Sequence, residues 1–171
     1  MPPSPQSLLG QLLAAPMRPG RLVWIGLRPA RDAAIITPQS ATLIAGRGIS
    51  GDRYQTSRDG ARQVTIMSLE GLRAIASYLA REQVAPDLLR RNLVTEGINL
   101  TALKGRRFHI GTALLKYSGE CAPCSRMETN LGPGGYNAVS GNGGITARII
   151  EGGEIRLDDQ ISRIDEAIED A

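Results

Sequence analysis

From residue 21 onward the apolar residues come in short runs bounded by Gly, Asp and Pro, at 22–27, 34–36, 41–45, 64–67 and 114–117. Runs this short, rich in Ile, Val and Thr and punctuated by turn formers, predict strands. One segment has helical spacing instead. Ser68 stands where a helix N-cap would be, Glu70 falls in the first turn, and Leu69, Leu72, Ile75, Ala76 and Leu79 recur on one face while Arg73 and Arg81 lie on the other. A second helical turn is expected at 87–90, after Pro86. Residues 6–15 read as a short amphipathic helix that Pro16, Pro19 and Gly20 terminate. Near the C-terminus, the runs 145–150 and 154–157 flank Gly152-Gly153, a pair that permits the positive φ of a tight hairpin. Asp158-Asp159 make a further turn before a last apolar run at 161–164. Neither an internal repeat nor a dividing linker interrupts the chain. The expected organisation is an N-terminal appendage at 1–19, one domain at 20–164 and a frayed acidic tail at 165–171. Its architecture is mainly β, a barrel or folded sheet with an inserted helix.

Composition narrows the function. At 171 residues, 42% hydrophobic and 22% charged, the chain can bury one core and is not expected to be disordered away from its ends. It has no run of about 18 apolar residues that would span a membrane, and the start, Met1-Pro2-Pro3-Ser4-Pro5, lacks the basic opening of a secretory signal. The reading is a cytoplasmic protein with reduced thiols. Eight acidic residues and two arginines follow Ile150, a local charge of −6 that leaves +9 on residues 1–150 against +3 overall. Eighteen of the twenty basic residues are Arg, whose planar fork of donors suits phosphate and carboxylate, so an anionic ligand is expected. The competing explanation is a coding bias that places Arg at solvated positions. Nucleic acid is a poor fit, because the six aromatic residues are scattered and offer no stacking platform.

The chemistry is concentrated at Cys121-Ala-Pro-Cys124, the chain's only two cysteines, followed at once by Ser125-Arg126. A thiolate ligates soft metals and attacks sulfur, and a neighbouring Arg such as Arg126 favours that form. Two cysteines are too few for a disulfide-stapled scaffold, whereas an intracellular Cys-x-x-Cys pair points to redox or metal chemistry. The bland alternative is two small buried apolar side chains or an inert disulfide. Pro123 fixes the backbone before Cys124 and holds its sulfur still. His109, the sole histidine, sits between Phe108 and Ile110 and reads as a packed strand residue, which leaves a Cys/His zinc site short of ligands. The glycine-rich stretch 132–144 matches no nucleotide-binding fingerprint and reads as a mobile surface loop. Arg90 and Arg91 precede an expected strand, so their side chains should point to opposite faces and at most one should reach a site. Asn92 reads equally well as a turn or helix C-cap residue.

Five motifs occur in order: Gly48-Ile-Ser-Gly51-Asp52-Arg53, Gln63-Val64-Thr65-Ile66, Arg90-Arg91-Asn92-Leu93-Val94, Gly97-Ile98-Asn99-Leu100 and Cys121-Ala-Pro-Cys124. Together they resemble the MOSC domain, the module found at the C-terminus of molybdenum-cofactor sulfurases and in small stand-alone bacterial proteins, over about residues 20–164. The resemblance implies a MOSC-type β-barrel with one or two inserted helices. It also implies a reactive cysteine at Cys124, as nucleophile or as molybdenum ligand, with Cys121 as resolving partner, second ligand or bystander. Arg90, Arg91 and Asn92 would face a pterin or its phosphate, Arg126 would help to balance phosphate charge, and a site role for Asp52 and Arg53 rests on the resemblance alone.

Two functions follow from that likeness. In one, the protein binds a molybdopterin-type cofactor as part of a reductase. In the other, it carries sulfur as a persulfide on Cys124, received from a cysteine desulfurase or another donor. The first also requires an electron-transfer partner. Pyridoxal phosphate is not expected, because the aminotransferase-like domain of sulfurases does not precede the resemblance here, nor does the extra β domain that helps enclose the pterin in the reductases. The readings outside this frame are a dithiol redox protein cycling Cys121 and Cys124, and a non-catalytic module for anionic small molecules.

Overall fold

Strands form where the short apolar runs lie, with one exception. The computed structural model describes residues 3–165. Its strands are β1 (Gly20–Ile25), β2 (Ser40–Ile44), β3 (Gly48–Ile49), β4 (Val64–Ser68), β5 (Leu93–Glu96), β6 (Arg107–Ile110), β7 (Ala113–Glu120), β8 (Ile145–Glu151), β9 (Gly153–Arg156) and β10 (Gln160–Arg163). Residues 34–36 contribute only an isolated bridge, Ile36 to Leu27. The helices are α1 (Leu8–Ala14), α2 (Leu69–Tyr78), α3 (Ser125–Leu131) and α4 (Gly135–Val139), with 3₁₀ turns at Pro86–Leu89 and Leu100–Leu103.

Seven strands close a barrel in the order β1-β10-β6-β7-β8-β4-β5, and β3-β2-β9 form a separate sheet. Every neighbouring pair in the barrel is antiparallel except β4 and β5. A parallel pair needs a crossover, which α2 and the turn Pro86–Leu89 supply. That crossover explains why Ile66-Met67 and Leu93-Val94 are adjacent apolar pairs rather than alternating with polar residues. Ile66 and Leu93 face the barrel core with Leu22, Phe108, Leu115 and Ile149, while Met67 and Val94 face a second core. There they pack with Leu72, Ile75 and Leu89 and with Met127, Leu131 and Val139 of α3 and α4. Both faces of this pair are thus covered, as parallel strands require.

Helix α2 begins as its sequence predicts. The Ser68 hydroxyl accepts from the Gly71 amide at 2.9 Å, and Leu72, Ile75 and Ala76 are buried. In α1, Ser7 caps the helix, but Leu8, Leu9, Leu12 and Leu13 all remain exposed and only Gly10 is buried. The Arg163 guanidinium ties this helix to β10 by donating to the carbonyls of Leu13, Ala14 and Ala15.

Three expectations are corrected. Gly152-Gly153 does not close a hairpin; β8 stays in the barrel while β9 leaves it to pair with β2. Neither glycine has a positive φ. They are needed because a side chain at Gly152 would strike the Leu43 carbonyl, and one at Gly153 the Thr112 hydroxyl. Second, the glycine-rich stretch 132–144, expected to be a mobile surface loop, holds α4 and is tied to α3 by the Glu128 carboxylate, which accepts from the Gly134 and Tyr136 amides at 2.8 Å each. Third, His109 lies on β6 as expected but is exposed there rather than packed. Of the expected tail, residues 166–171 lie outside the described residues.

Candidate functional site

Four of the five motifs converge on one pocket at an end of the barrel, and the fourth, Gly97–Leu100, lines a neighbouring cavity instead. The shared pocket, of about 580 Å³, is lined among others by Asp52, Arg53, Arg90, Arg91, Asn92, Cys121 and Cys124. Of the residues singled out from the sequence, only Arg126 lies outside its lining. Arg126 is nonetheless near enough for its charge to act on Arg90. Arg28 and Arg62, which carry no local sequence signal, complete the wall. Five guanidinium groups thus surround the pocket, and Asp52 is its sole carboxylate among the described residues. Among the described residues none of the five arginines is paired with a carboxylate.

Asp52 and Asn92 build the frame. Asp52 Oδ1 accepts from the Arg28 amide at 2.8 Å and Oδ2 from the Tyr54 amide at 3.2 Å. Those bonds hold the 52–55 turn against the chain leaving β1, where Arg53 N also donates to the Arg28 carbonyl at 2.7 Å. Asn92 clasps Thr65: its Oδ1 accepts from Thr65 N and Thr65 Oγ1, both at 3.1 Å, and its own amide donates to Thr65 Oγ1 at 2.9 Å. The Asn92 carbonyl accepts from Gly26 N at 2.7 Å, so one residue stitches the ends of β1, β4 and β5 together. Gln63 does the same for β8, accepting from Ile149 N at 2.9 Å. The second and third motifs therefore meet as a fixed floor.

Both Arg90 and Arg91 line the pocket, against the expectation that an extended backbone would send them apart. The reason is local. Arg90 is the C-cap of the turn Pro86–Leu89, with φ 56° and ψ 35°, and the strand begins only at Leu93. A left-handed residue breaks the alternation of an extended chain and brings neighbouring side chains to the same side. Burial lowers the Arg90 pKa, Arg28, Arg126 and Arg53 lower it further, and Cys124 opposes them. Crowded cations of this kind favour an anion in their midst.

Arg91 is 8% exposed. Its Nε donates to the Gly143 carbonyl at 2.9 Å and its Nη1 to the Leu89 carbonyl at 3.0 Å. Its Nη2 is buried and has no hydrogen-bond partner among the described residues. An unsatisfied buried donor costs about 1–3 kcal/mol, more when charged, so such an atom normally meets an ordered water, an ion or a bound group.

The two thiols differ. Cys121 follows β7 and is half-buried, with its amide bonded to the Gly144 carbonyl at 2.8 Å; Cys124 is exposed and is the N-cap residue of α3. Burial raises the Cys121 pKa, Arg91 and Arg62 pull it back, and Cys124 adds to the rise. The cysteines are thus close enough to feel each other's charge. Cys121 also borders a second cavity of about 750 Å³, lined by Glu70, Glu120, Asn99 and the glycines 141, 143 and 144.

Among the described residues no three His, Cys, Asp or Glu side chains gather as a metal-binding group. No helix is long and apolar enough to cross a membrane.

The fold is shared with solved structures of low sequence identity. The YuaD protein from Bacillus subtilis superposes with a TM-score of 0.73 at 21% identity, covering 84% of this chain and 94% of that one. YiiM from Escherichia coli gives 0.65 at 18% identity over 88% and 72% of the two chains. YiiM from Geobacillus stearothermophilus gives 0.66 at 16% over 88% and 78%. No curated protein matches the sequence. The family model of the MOSC domain matches residues 52–162, a span that holds the Asp52 turn, the Thr65–Asn92 clasp and both cysteines. This chain belongs to the MOSC domain family.

Proposed function

We propose that the protein performs its chemistry on the Cys124 sulfur, beside an arginine-lined pocket that holds a phosphate-bearing, molybdopterin-type cofactor. The observation that carries this reading is the charge inventory: five guanidinium groups around an exposed thiol, with one carboxylate whose two oxygens are engaged by backbone amides. Such a pocket attracts an anion and excludes a cation.

The donor set fits that group. With no cluster of three metal-ligating side chains among the described residues, a metal held here would depend on a thiolate and on a ligand that brings its own donors. Cys124 is the sulfur available to it, and Arg28, Arg53, Arg62 and Arg90 are the groups available to a phosphate. When bound, such a cofactor supplies a redox-active metal with an open position at which oxygen is removed from a substrate. Asn92 and Asp52 act at one remove, as positioning residues that fix the floor and the arginine-bearing turn. Molybdenum and pterin analysis of protein purified from a cofactor-competent host tests the reading. Stoichiometric loading that Arg90→Ala reduces about tenfold is expected; metal-free and pterin-free protein from the same host overturns it.

A second reading has its own support. Cys121 lies beside Cys124, and a thiol pair is superfluous to a single metal bond but useful to sulfur transfer. In this reading Cys124 accepts sulfur from a desulfurase-type donor and carries it as a persulfide in the cytoplasm, and the arginines hold the anionic sulfur in place of phosphate. The result expected is an adduct of about 32 Da on Cys124, discharged by reductant.

A further inference from the structure

Arg91 is an anomaly if the pocket serves only to bind phosphate. The other arginines of the wall are free to meet a ligand, whereas Arg91 is buried and pinned through two of its nitrogens. Its third, Nη2, has no acceptor among the described residues. Gly143 shows where that nitrogen lies: a side chain there would collide with the Cys121 carbonyl and stand 3.2 Å from Arg91 Nη2. The free donor therefore lies near the Cys121 backbone, at the wall that Arg91 shares with both cysteines.

Cys121 is in turn well placed to react second. Its backbone is fixed through the Gly144 carbonyl, its side chain is half-buried, and it lines the same pocket as the exposed Cys124. A macromolecular donor reaches the exposed sulfur first. A small molecule can reach Cys121 from the other side, through the second cavity.

We propose that Cys121 is a resolving thiol, which expels the sulfur carried on Cys124 as hydrosulfide by closing a Cys121–Cys124 disulfide while Arg91 Nη2 donates to the sulfur that bears the negative charge. This rests on the sulfur-carrier reading. The step begins with the Cys121 thiol and the Cys124 persulfide anion. The Cys121 sulfur attacks Cys124 Sγ, and the bond between Cys124 Sγ and the outer sulfur breaks. The electron pair of that bond leaves with the outer sulfur, which takes the Cys121 proton and departs as HS⁻. Cys121 is oxidised from thiol to disulfide, the carried sulfur is reduced to sulfide, and the total charge is unchanged. Two equivalents of a small thiol then return both cysteines to thiols and leave as their own disulfide.

The test treats the reduced full-length protein with one equivalent of inorganic polysulfide, removes the excess, and follows mass and free sulfide without added thiol. Wild type is expected to gain about 32 Da on Cys124, then lose it with about one sulfide released per chain and a Cys121–Cys124 disulfide found by peptide mapping. Cys121→Ser should keep the adduct and release sulfide about tenfold more slowly. Arg91→Met should slow release about as much, and Arg91→Lys, which restores a cation without the planar fork, should recover part of it. Thermal melts of both Arg91 variants separate this effect from loss of the Gly143 and Leu89 contacts: a slow release in a variant that melts like wild type supports the role. Equal release rates in wild type and Cys121→Ser, with the adduct present in both, overturn the inference and leave the carrier reading standing. Absence of any adduct on Cys124 in either protein overturns the carrier reading, and the inference with it.

Discussion

Arg90 illustrates how a single residue can serve its site at a cost to its backbone. Its φ of 56° lies in the left-handed region, which a helix C-terminus usually gives to glycine and which strains a residue with a side chain by about 1–2 kcal/mol. It is also pressed by the charges of Arg28, Arg126 and Arg53. Arg90→Gly relieves both, against about 0.5–1 kcal/mol of extra unfolded-chain entropy. The variant should therefore be as stable as wild type or up to about 1 kcal/mol more stable by denaturant titration, while its affinity for pyrophosphate falls about tenfold by calorimetry. Loss of stability together with affinity would mean that Arg90 is structural. The sequence disclosed the adjacent arginines but not their common side, because that depends on one backbone dihedral.

At the scale of elements, the helical pair after the cysteines holds Cys124 in place. α3 buries Met127 and Leu131, α4 buries Ala138 and Val139, and Glu128 braces the bend between them. The bonds from Tyr136 and Gly134 lower the Glu128 pKa. A carboxyl whose folded pKa is depressed contributes stability that is present above its unfolded pKa and is lost as pH falls through the folded value. The protection factors of the Gly134 and Tyr136 amides, taken relative to the intrinsic exchange rate at each pH, should thus fall as the pH is lowered through the acidic range, and Glu128→Ala should show the same low protection at neutral pH. Protection independent of both would exclude the brace. The sequence masked these helices because seven residues and five, interrupted by Gly132, Pro133 and Gly134, carry too little periodicity to stand out from a loop. α2, with ten residues, a cap and a full apolar face, was plain from the sequence.

For the whole molecule, the division of labour follows burial. Phe108 is fully buried in the barrel core, so Phe108→Ala should lower stability by about 3–5 kcal/mol. α1 buries only Gly10 and is tied chiefly through Arg163, which loses its three carbonyl partners there but keeps Asp165 when the segment is removed. A chain lacking residues 1–19 is therefore expected to unfold in one transition within about 2 kcal/mol of the intact protein. A loss as large as that of Phe108→Ala would make the segment part of the core domain instead.

The sequence by itself determined most of the strands, α2, and the pairing of two thiols on one short segment, because each of these depends on neighbours a few residues apart. It also bore the ordered motifs of a MOSC barrel. Tertiary structure alone decided that β9 leaves the barrel at Gly152, and that Arg28, Arg53 and Arg62 meet Arg90 and Arg91 around the cysteines. Barrel closure brings those positions together from segments remote in the chain, and the charge they assemble is a property of the closed ring rather than of any run of residues.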